Sequence, residues 1–306
     1  MTGIFCLYKP EDMTSFTAVR RVRGITGEKK CGHCGTLDPM ATGVLPVMMG
    51  GATRFLDFLP TSPKHYRAAL RLGLKTDTLD RTGKVLSTCP VTVGRAELEE
   101  LLPTFRGEIL QVPPMYSALK QNGIRLYDLA RQGKEVEREA RPVSVYSLTL
   151  LPDGTDGTSS ENGEYVLDVS CSGGTYIRTL IDDLGEALGC GAVMTALERL
   201  GVGPLTKEQA VTLEELEQAR DEGRLADLLI PLETALSDYP SVSVTEAQAT
   251  RFQNGGGLSL ERLKGVSGHS DSTLLRVLDP EECFLGLGEI SREEETLRVK
   301  RVYINR

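Results

Sequence analysis

Hydrophobic positions along this chain fall into short blocks separated by glycine- and proline-rich breaks. Ile4–Tyr8 is a continuous apolar run, predicted as a buried strand that Lys9-Pro10 ends. Thr14 or Ser15 can then cap a helix with Phe16, Val19, Val22 and Ile25 on its buried side, Arg20, Arg21 and Arg23 largely off it, and Gly24 and Gly27 breaking the pattern. Residues 31–51 have no helical period and read as a loop followed by an apolar strand, Val44–Met49. Residues 66–72 and 165–171 read as strands, the second with Tyr165, Leu167, Val169 and Cys171 on one face. Residues 175–188 read as a helix with Ile177, Leu180, Ile181, Leu184 and Leu188 inward, stopped by Gly189 and Gly191. Between those strands, 111–141 is polar and basic-rich, an excursion from a main sheet, and 152–163 is a flexible loop by composition. Residues 206–238 look helical and acidic, on a solvated face. After Tyr239-Pro240 come strand-like runs at 274–278, 284–287 and 297–303, a small β domain near the lower size limit for independent folding.

Length and composition agree with this division. A chain of 306 residues with 40% hydrophobic and 25% charged residues suits one large and one small globular domain. No apolar run approaches the roughly 20 residues a membrane span needs, and the N-terminus lacks a basic start followed by a long apolar stretch. A cytoplasmic protein without membrane association is the expectation. Seven irregularly spaced cysteines argue for reduced thiols over a disulfide framework. Charge changes the picture more. Net charge is −8, yet residues 1–72 hold ten Lys or Arg against five acids, a local +5 inside an otherwise acidic chain. Such a segment can bind phosphate locally or can be a solvated face; charge alone favours the second.

The chemistry concentrates in 31–51. Asp38 precedes Pro39 in a loop with Gly32, Gly35 and Gly43. Glycines let backbone approach a ligand closely, but Asp before Pro is also ordinary turn chemistry. Cys31 and Cys34 flank His33, but a zinc site needs about four ligands and no second Cys/His pair is present; His65 and His269 stand alone.

Residues 32–46, GHCGTLDPMATGVLP, resemble the active-site motif of the TruB family of tRNA pseudouridine synthases, roughly GHTGTLDPLATGVLP. Further segments follow in the family's order. Lys9-Pro10 with Thr14-Ser15 resembles KPxGxTS. Lys64 with Tyr66 and then residues 73–80, GLKTDTLD, resemble KxYxA and LGxxTDTxD. Residues 111–120, QVPPMYSALK, resemble QxPPxYSAxK, and 172–185 resemble SxGTYIRxLxxDLG. The resemblance is strong over 3–205, and 240–306 more weakly resembles the PUA domain of many members. Two positions depart: Cys34 stands for the usual Thr and Asp12 for the usual Gly.

The resemblance implies an α+β fold. A catalytic domain over 1–238 would be built on a mixed, largely antiparallel sheet, with 111–141 gripping RNA and a PUA-like β domain over 240–306. It implies isomerisation of uridine to pseudouridine in the T-loop of tRNA, at position 55, by a single chain whose partner is tRNA and not DNA. The reaction has no net redox or hydrolysis, so no cofactor and no metal are expected. Asp38 would be the catalytic carboxylate. Arg178 would be the cation that keeps it ionised in a dry pocket; on the residues alone, Arg178 could equally pair with Asp182 one turn on. Tyr66, otherwise a core tyrosine, would stack on the target base and relay a proton. Tyr176, Leu197 and Lys9 would line the uridine pocket, and His33 would take the place of the nucleotide flipped from its stack. The competing class is a noncatalytic RNA-binding or RNA-folding protein, for which an acid in the RNA pocket has no purpose.

Overall fold

The computed structural model describes residues 1–121 and 123–304. The chain opens with β1 (Gly3–Lys9), α1 (Ser15–Thr26), β2 (Cys31–His33), β3 (Thr42–Met49) and, after a 3-10 segment at Gly50–Phe58, β4 (Lys64–Leu72). A hairpin of β5 (Leu74–Thr76) and β6 (Val85–Thr88), α2 (Arg95–Leu101) and β7 (Gly107–Gln111) come next. The excursion holds β8 (Lys120–Gln121), β9 (Ile124–Arg125) and α3 (Leu126–Arg131). β10 (Arg141–Leu150), β11 (Glu164–Cys171), α4 (Ile177–Ala187), β12 (Ala192–Val202) and β13 (Leu205–Thr206) complete the main sheet region, followed by α5 (Leu213–Asp221) and α6 (Leu232–Ala235). Last are β14 (Ser241–Ser243), α7 (Glu246–Gln253), β15 (Leu258–Ser259), β16 (Leu274–Leu278), β17 (Phe284–Ser291) and β18 (Thr296–Val302).

Among the described residues the main sheet has nine strands, with the path β1-β3-β12-β4-β11-β10-β7. Its pairs are antiparallel except β3 with β12, so the sheet is mixed and largely antiparallel. Strand alternation divides the core. Phe5 and Leu7 of β1 and Leu45, Val47 and Met49 of β3 pack on α1 and α5, while Ile4, Cys6, Val44 and Met48 face the 3-10 segment. Both faces of β1 and β3 are thus covered, which explains their unbroken apolar runs. On β4, Tyr66, Ala68, Leu70 and Leu72 point toward Ile177, Leu180, Ile181 and Leu184 of α4, together with Tyr165, Leu167, Val169 and Cys171 of β11.

Four local readings change. Phe16 is 68% exposed; the buried stripe of α1 is Ser15, Ala18, Val19, Val22 and Ile25. Phe16 shares helical spacing with Val19, but the inward place at the first turn is taken by Ser15, whose hydroxyl has polar work to do against Leu37. Gly24 stays inside α1, and only Gly27, at φ 69°, terminates it; Thr14 is the N-cap. The 152–163 segment is not featureless: it folds into two 3-10 turns, tied by Asp153 accepting from the Ser160 backbone N–H and hydroxyl, each at 2.9 Å. The acidic 206–238 stretch is helical in part, and α5 buries Leu213, Leu216 and Ala219.

The C-terminal sheet runs β14-β16-β17-β18-β15 around Phe252, Leu275, Val277, Leu285 and Leu297. This small sheet leans on the first. Phe55 lies 5.9 Å from Phe284 and 6.2 Å from Tyr303 between ring centroids, and the Tyr239 hydroxyl donates to the Phe58 carbonyl at 2.9 Å. Among the described residues no helix is long and apolar enough to cross a membrane.

Candidate active site around Asp38

The Asp38 loop bridges β2 and β3, and polar groups hold it from below. The Ser15 hydroxyl donates to the Leu37 carbonyl at 3.1 Å and accepts from the Leu37 N–H at 2.9 Å. The Lys9 ammonium donates to the carbonyls of Pro39 at 3.1 Å, Pro10 at 2.7 Å and Met13 at 2.6 Å. Leu37, Met40 and Ala41 are sunk into the core. With its neighbours anchored downward, Asp38 keeps a side chain 33% exposed.

Arg178, near the start of α4, meets that carboxylate with a fork. Its Nε lies 2.9 Å from Oδ2 and its Nη2 donates to Oδ1 at 3.1 Å. The guanidinium is 4% exposed, and its other donors reach the Thr78 carbonyl at 2.9 Å and the Tyr116 carbonyl at 2.8 Å. Asp80, also buried, stands behind it at 3.9 Å and accepts from the Thr78 hydroxyl and from the Thr82 hydroxyl and N–H. A planar guanidinium with every edge engaged is fixed in orientation. The alternative pairing within α4 does not form: Asp182 faces Lys75, at 3.8 Å.

Tyr66 is buried beside Leu197 in one cluster with Leu37, Met40 and Ala41, directly under the loop. Burial pushes its phenol above the usual range. Tyr176 is the N-cap residue of α4; its N–H donates to the Gln111 side chain at 3.0 Å, and the Gln111 amide donates back to its carbonyl at 3.3 Å. Its phenol is raised mainly by burial and feels the charges of Arg178 and Asp38. His33 lies on β2, opposite Val47 of β3, with Nδ1 buried and without a hydrogen-bond partner. Burial, then the Arg199 cation, pushes its pKa down, so the ring is neutral at pH 7. Asp38, Arg178, Tyr66, Tyr176 and Leu197 therefore gather around the Asp38 loop, with His33 on its β2 side, while Lys9, grouped with the pocket residues from the sequence, is buried beneath the loop with its ammonium on backbone carbonyls. Cavities of about 760 and 430 Å³ lie elsewhere, at the junction of the two sheets and beside the excursion.

Comparison with known proteins decides the family. Residues 23–177 match the model described as TruB family pseudouridylate synthase (N terminal domain). The chain belongs to the TruB family. Residues 178–237 match the tRNA pseudouridylate synthase B C-terminal domain, and 240–303 match Pseudouridine synthase II TruB, C-terminal. The chain is 46% identical over 296 residues to tRNA pseudouridine synthase B of Pseudomonas putida, covering 96% of this chain and 93% of that protein. To the Escherichia coli K12 protein of the same name it is 42% identical over 303 residues, covering 96% and 92%. Among solved structures it resembles a crystal structure of a Cbf5-Nop10-Gar1 complex, at 26% identity and TM-score 0.76, covering 99% of this chain and 85% of that one.

Within the TruB pattern, both departures have local accounts. Asp12 takes φ 57°, the left-handed region that glycine adopts most easily and Asp tolerates. Cys34 is buried, its sulfur 4.0 Å from that of Met48 and 3.5 Å from the Leu56 carbonyl, and burial pushes the thiol up to about 11. Among the described residues no group of three or more His, Cys, Asp or Glu is placed to hold a metal. Asp80 was not singled out as a site residue from the sequence, although it closes the TruB-like GLKTDTLD segment. Its one local sign is a carboxylate flanked by Thr78 and Thr82, a self-satisfied turn that gives no hint of Arg178 nearly a hundred residues on.

Lys9 carries a pH prediction. Burial pushes its ammonium down to about 8 from 10.5, against the pull of Asp38 and Asp12. Below about 8 the group is charged in folded and unfolded chains alike. Between about 8 and 10.5 the unfolded chain holds more protons, so the Lys9 contribution to stability rises with pH through that window. The urea midpoint of the parent should therefore gain on that of Lys9→Met as pH rises from 8 to 10. A constant difference between the two would refute the depressed ammonium.

Proposed function

We propose that this chain isomerises uridine to pseudouridine in the T-loop of tRNA, at position 55, with Asp38 as the nucleophilic carboxylate. The observation that carries this reading is the fork of buried Arg178 on Asp38. It aims a carboxylate over a floor that is apolar and aromatic. The reaction breaks the N1–C1′ glycosidic bond, turns the base and joins C5 to C1′. One proton leaves C5 and one arrives at N1. Covalent attack by Asp38 divides this exchange into two easier steps. Tyr66 and Leu197 supply the wall against which the base lies while detached. Held protonated by burial, the Tyr66 phenol accepts a proton only by passing its own on, which suits a relay.

The target must leave its stack, at about a few kcal/mol, and a neutral His33 ring can occupy the vacated space without bringing a charge into it. Arg20, Arg23, Lys29 and Lys30, all exposed, and the basic residues of 111–141 offer phosphate contacts. The division into a catalytic unit over 1–238 and a PUA-like RNA-binding unit over 240–306 belongs to the same proposal; residues 122, 305 and 306 fall outside the described residues. Action as a single chain and a cytoplasmic setting are also part of the proposal. The test is to incubate T-arm RNA with the protein and map pseudouridine by site. Conversion confined to position 55 is expected. RNA binding without product would favour the noncatalytic reading.

A further inference from the structure

Arg199 enters the site as described only through its charge on His33, yet it is the largest fully buried side chain among the described residues. It lies on β12 between two neighbours, opposite Gly43 of β3 and Tyr66 of β4. Its Nε donates to the Val44 carbonyl at 2.7 Å and its Nη2 to the Gly35 carbonyl at 2.8 Å. Those two carbonyls bracket the loop that carries Asp38. Its Nη1 is buried with no hydrogen-bond partner, and its charge bears on the Tyr66 phenol.

The surroundings are shaped for this side chain. A Cβ on Gly35 would stand 3.3 Å from Nη1 and 3.4 Å from the Lys64 ammonium, and one on Gly43 would collide with the Arg199 backbone. Both glycines hold positive φ, 71° and 102°. A buried cation with an unpaired nitrogen beside a second cation is a poor choice for stability alone, since an apolar residue of similar volume often does better. A planar group with fixed donors, however, can set the separation of two backbone segments, which a flexible ammonium cannot.

We propose that Arg199 is a positioning residue, spanning Gly35 and Val44 so that the Asp38 loop is held at a set distance from the Tyr66 strand. This rests on the reading of Asp38 and Tyr66 given above. The test uses the full chain and T-arm RNA with Arg199→Lys and Arg199→Gln. The glutamine variant removes the unpaired charge and so guards against a folding failure. Three quantities are measured: single-turnover rate at saturating RNA, normalised to the folded fraction; Kd for the RNA; and the thermal midpoint. Displacement of the loop by about an ångström should lower the rate about 100-fold. Kd should stay within about threefold, since phosphate contacts lie elsewhere. Lysine should restore the midpoint more than the rate. Rates per folded molecule near the parent's would overturn the proposal, as would failure of both variants to fold, which would make Arg199 a residue of the fold alone. A parent that forms no pseudouridine would instead sink the functional reading.

Discussion

Asp38→Asn is expected to abolish pseudouridine formation while leaving RNA binding within about tenfold, or about 1.4 kcal/mol. The substitution keeps shape and removes charge. The loop should not move, because its anchors are Ser15 on Leu37 and Lys9 on Pro39, and neither uses the Asp38 side chain. Arg178 retains the Thr78 and Tyr116 carbonyls and the neighbouring Asp80, so it stays in place. What is lost is the nucleophile, and loss of a group on which the chemistry depends costs on the order of 10⁴-fold or more. Site-mapped pseudouridine after long incubation, with Kd measured on the same RNA, decides the matter. Retained turnover would remove Asp38 from its role. Loss of binding to the same extent as turnover would mean that the charge serves the RNA complex and not the chemistry.

How much of this was legible in the sequence differs by residue, for physical reasons. The strands β1 and β3 could be read because both faces are covered and their apolar runs are continuous. β12 could not: it carries Thr195, Glu198 and Arg199 among its apolar residues, so neither alternation nor an apolar run marks it. β7 is a sheet edge with Leu110 exposed, and it too lacks a periodic signal. Phe16 misled because hydrophobicity was allowed to choose the inward face of α1, whereas the fold gave that place to a serine with a loop to hold.

The same division runs through the site. On the residues alone Asp38 was a turn aspartate, and its role came from the ordered set of motifs. Arg178 had two admissible partners, and only the packing of α4 beneath the loop chose Asp38 over Asp182. Lys9 was grouped with the substrate-binding residues, yet its ammonium is spent on three backbone carbonyls, so it builds the loop that presents Asp38. Asp80 showed only its local turn with Thr78 and Thr82, and Arg199 left no trace, because the partners that matter to the site, Arg178 for the one and the Gly35 and Val44 carbonyls for the other, are far away in the chain. Single-sequence patterns report local period and local turn chemistry, not such encounters.

Arg178 should be the side chain of the site whose loss costs both fold and chemistry. Arg178→Met removes the cation from between Asp38 and Asp80, and Arg178→Lys supplies one ammonium where a fork meets two carboxylate oxygens and two carbonyls. Breaking a buried pair by removing one partner typically costs about 3–5 kcal/mol, because the other charge is left buried. Here the stranded charge is chiefly Asp80, since Asp38 can still draw on water. Turnover should fall by on the order of 10³-fold or more in both variants, as an aimed electrostatic partner is lost from the reacting carboxylate. Stability and chemistry can be separated. In Arg178→Met/Asp80→Asn the stranded charge is neutralised, so the urea midpoint should move back toward the parent while turnover stays at the level of Arg178→Met. If turnover returned together with stability, Arg178 would matter to the fold alone. If neither returned, Asp80 would not be the group left stranded, and the loss would lie in the Thr78 and Tyr116 contacts that seat the β5–β6 hairpin and the excursion around the cleft.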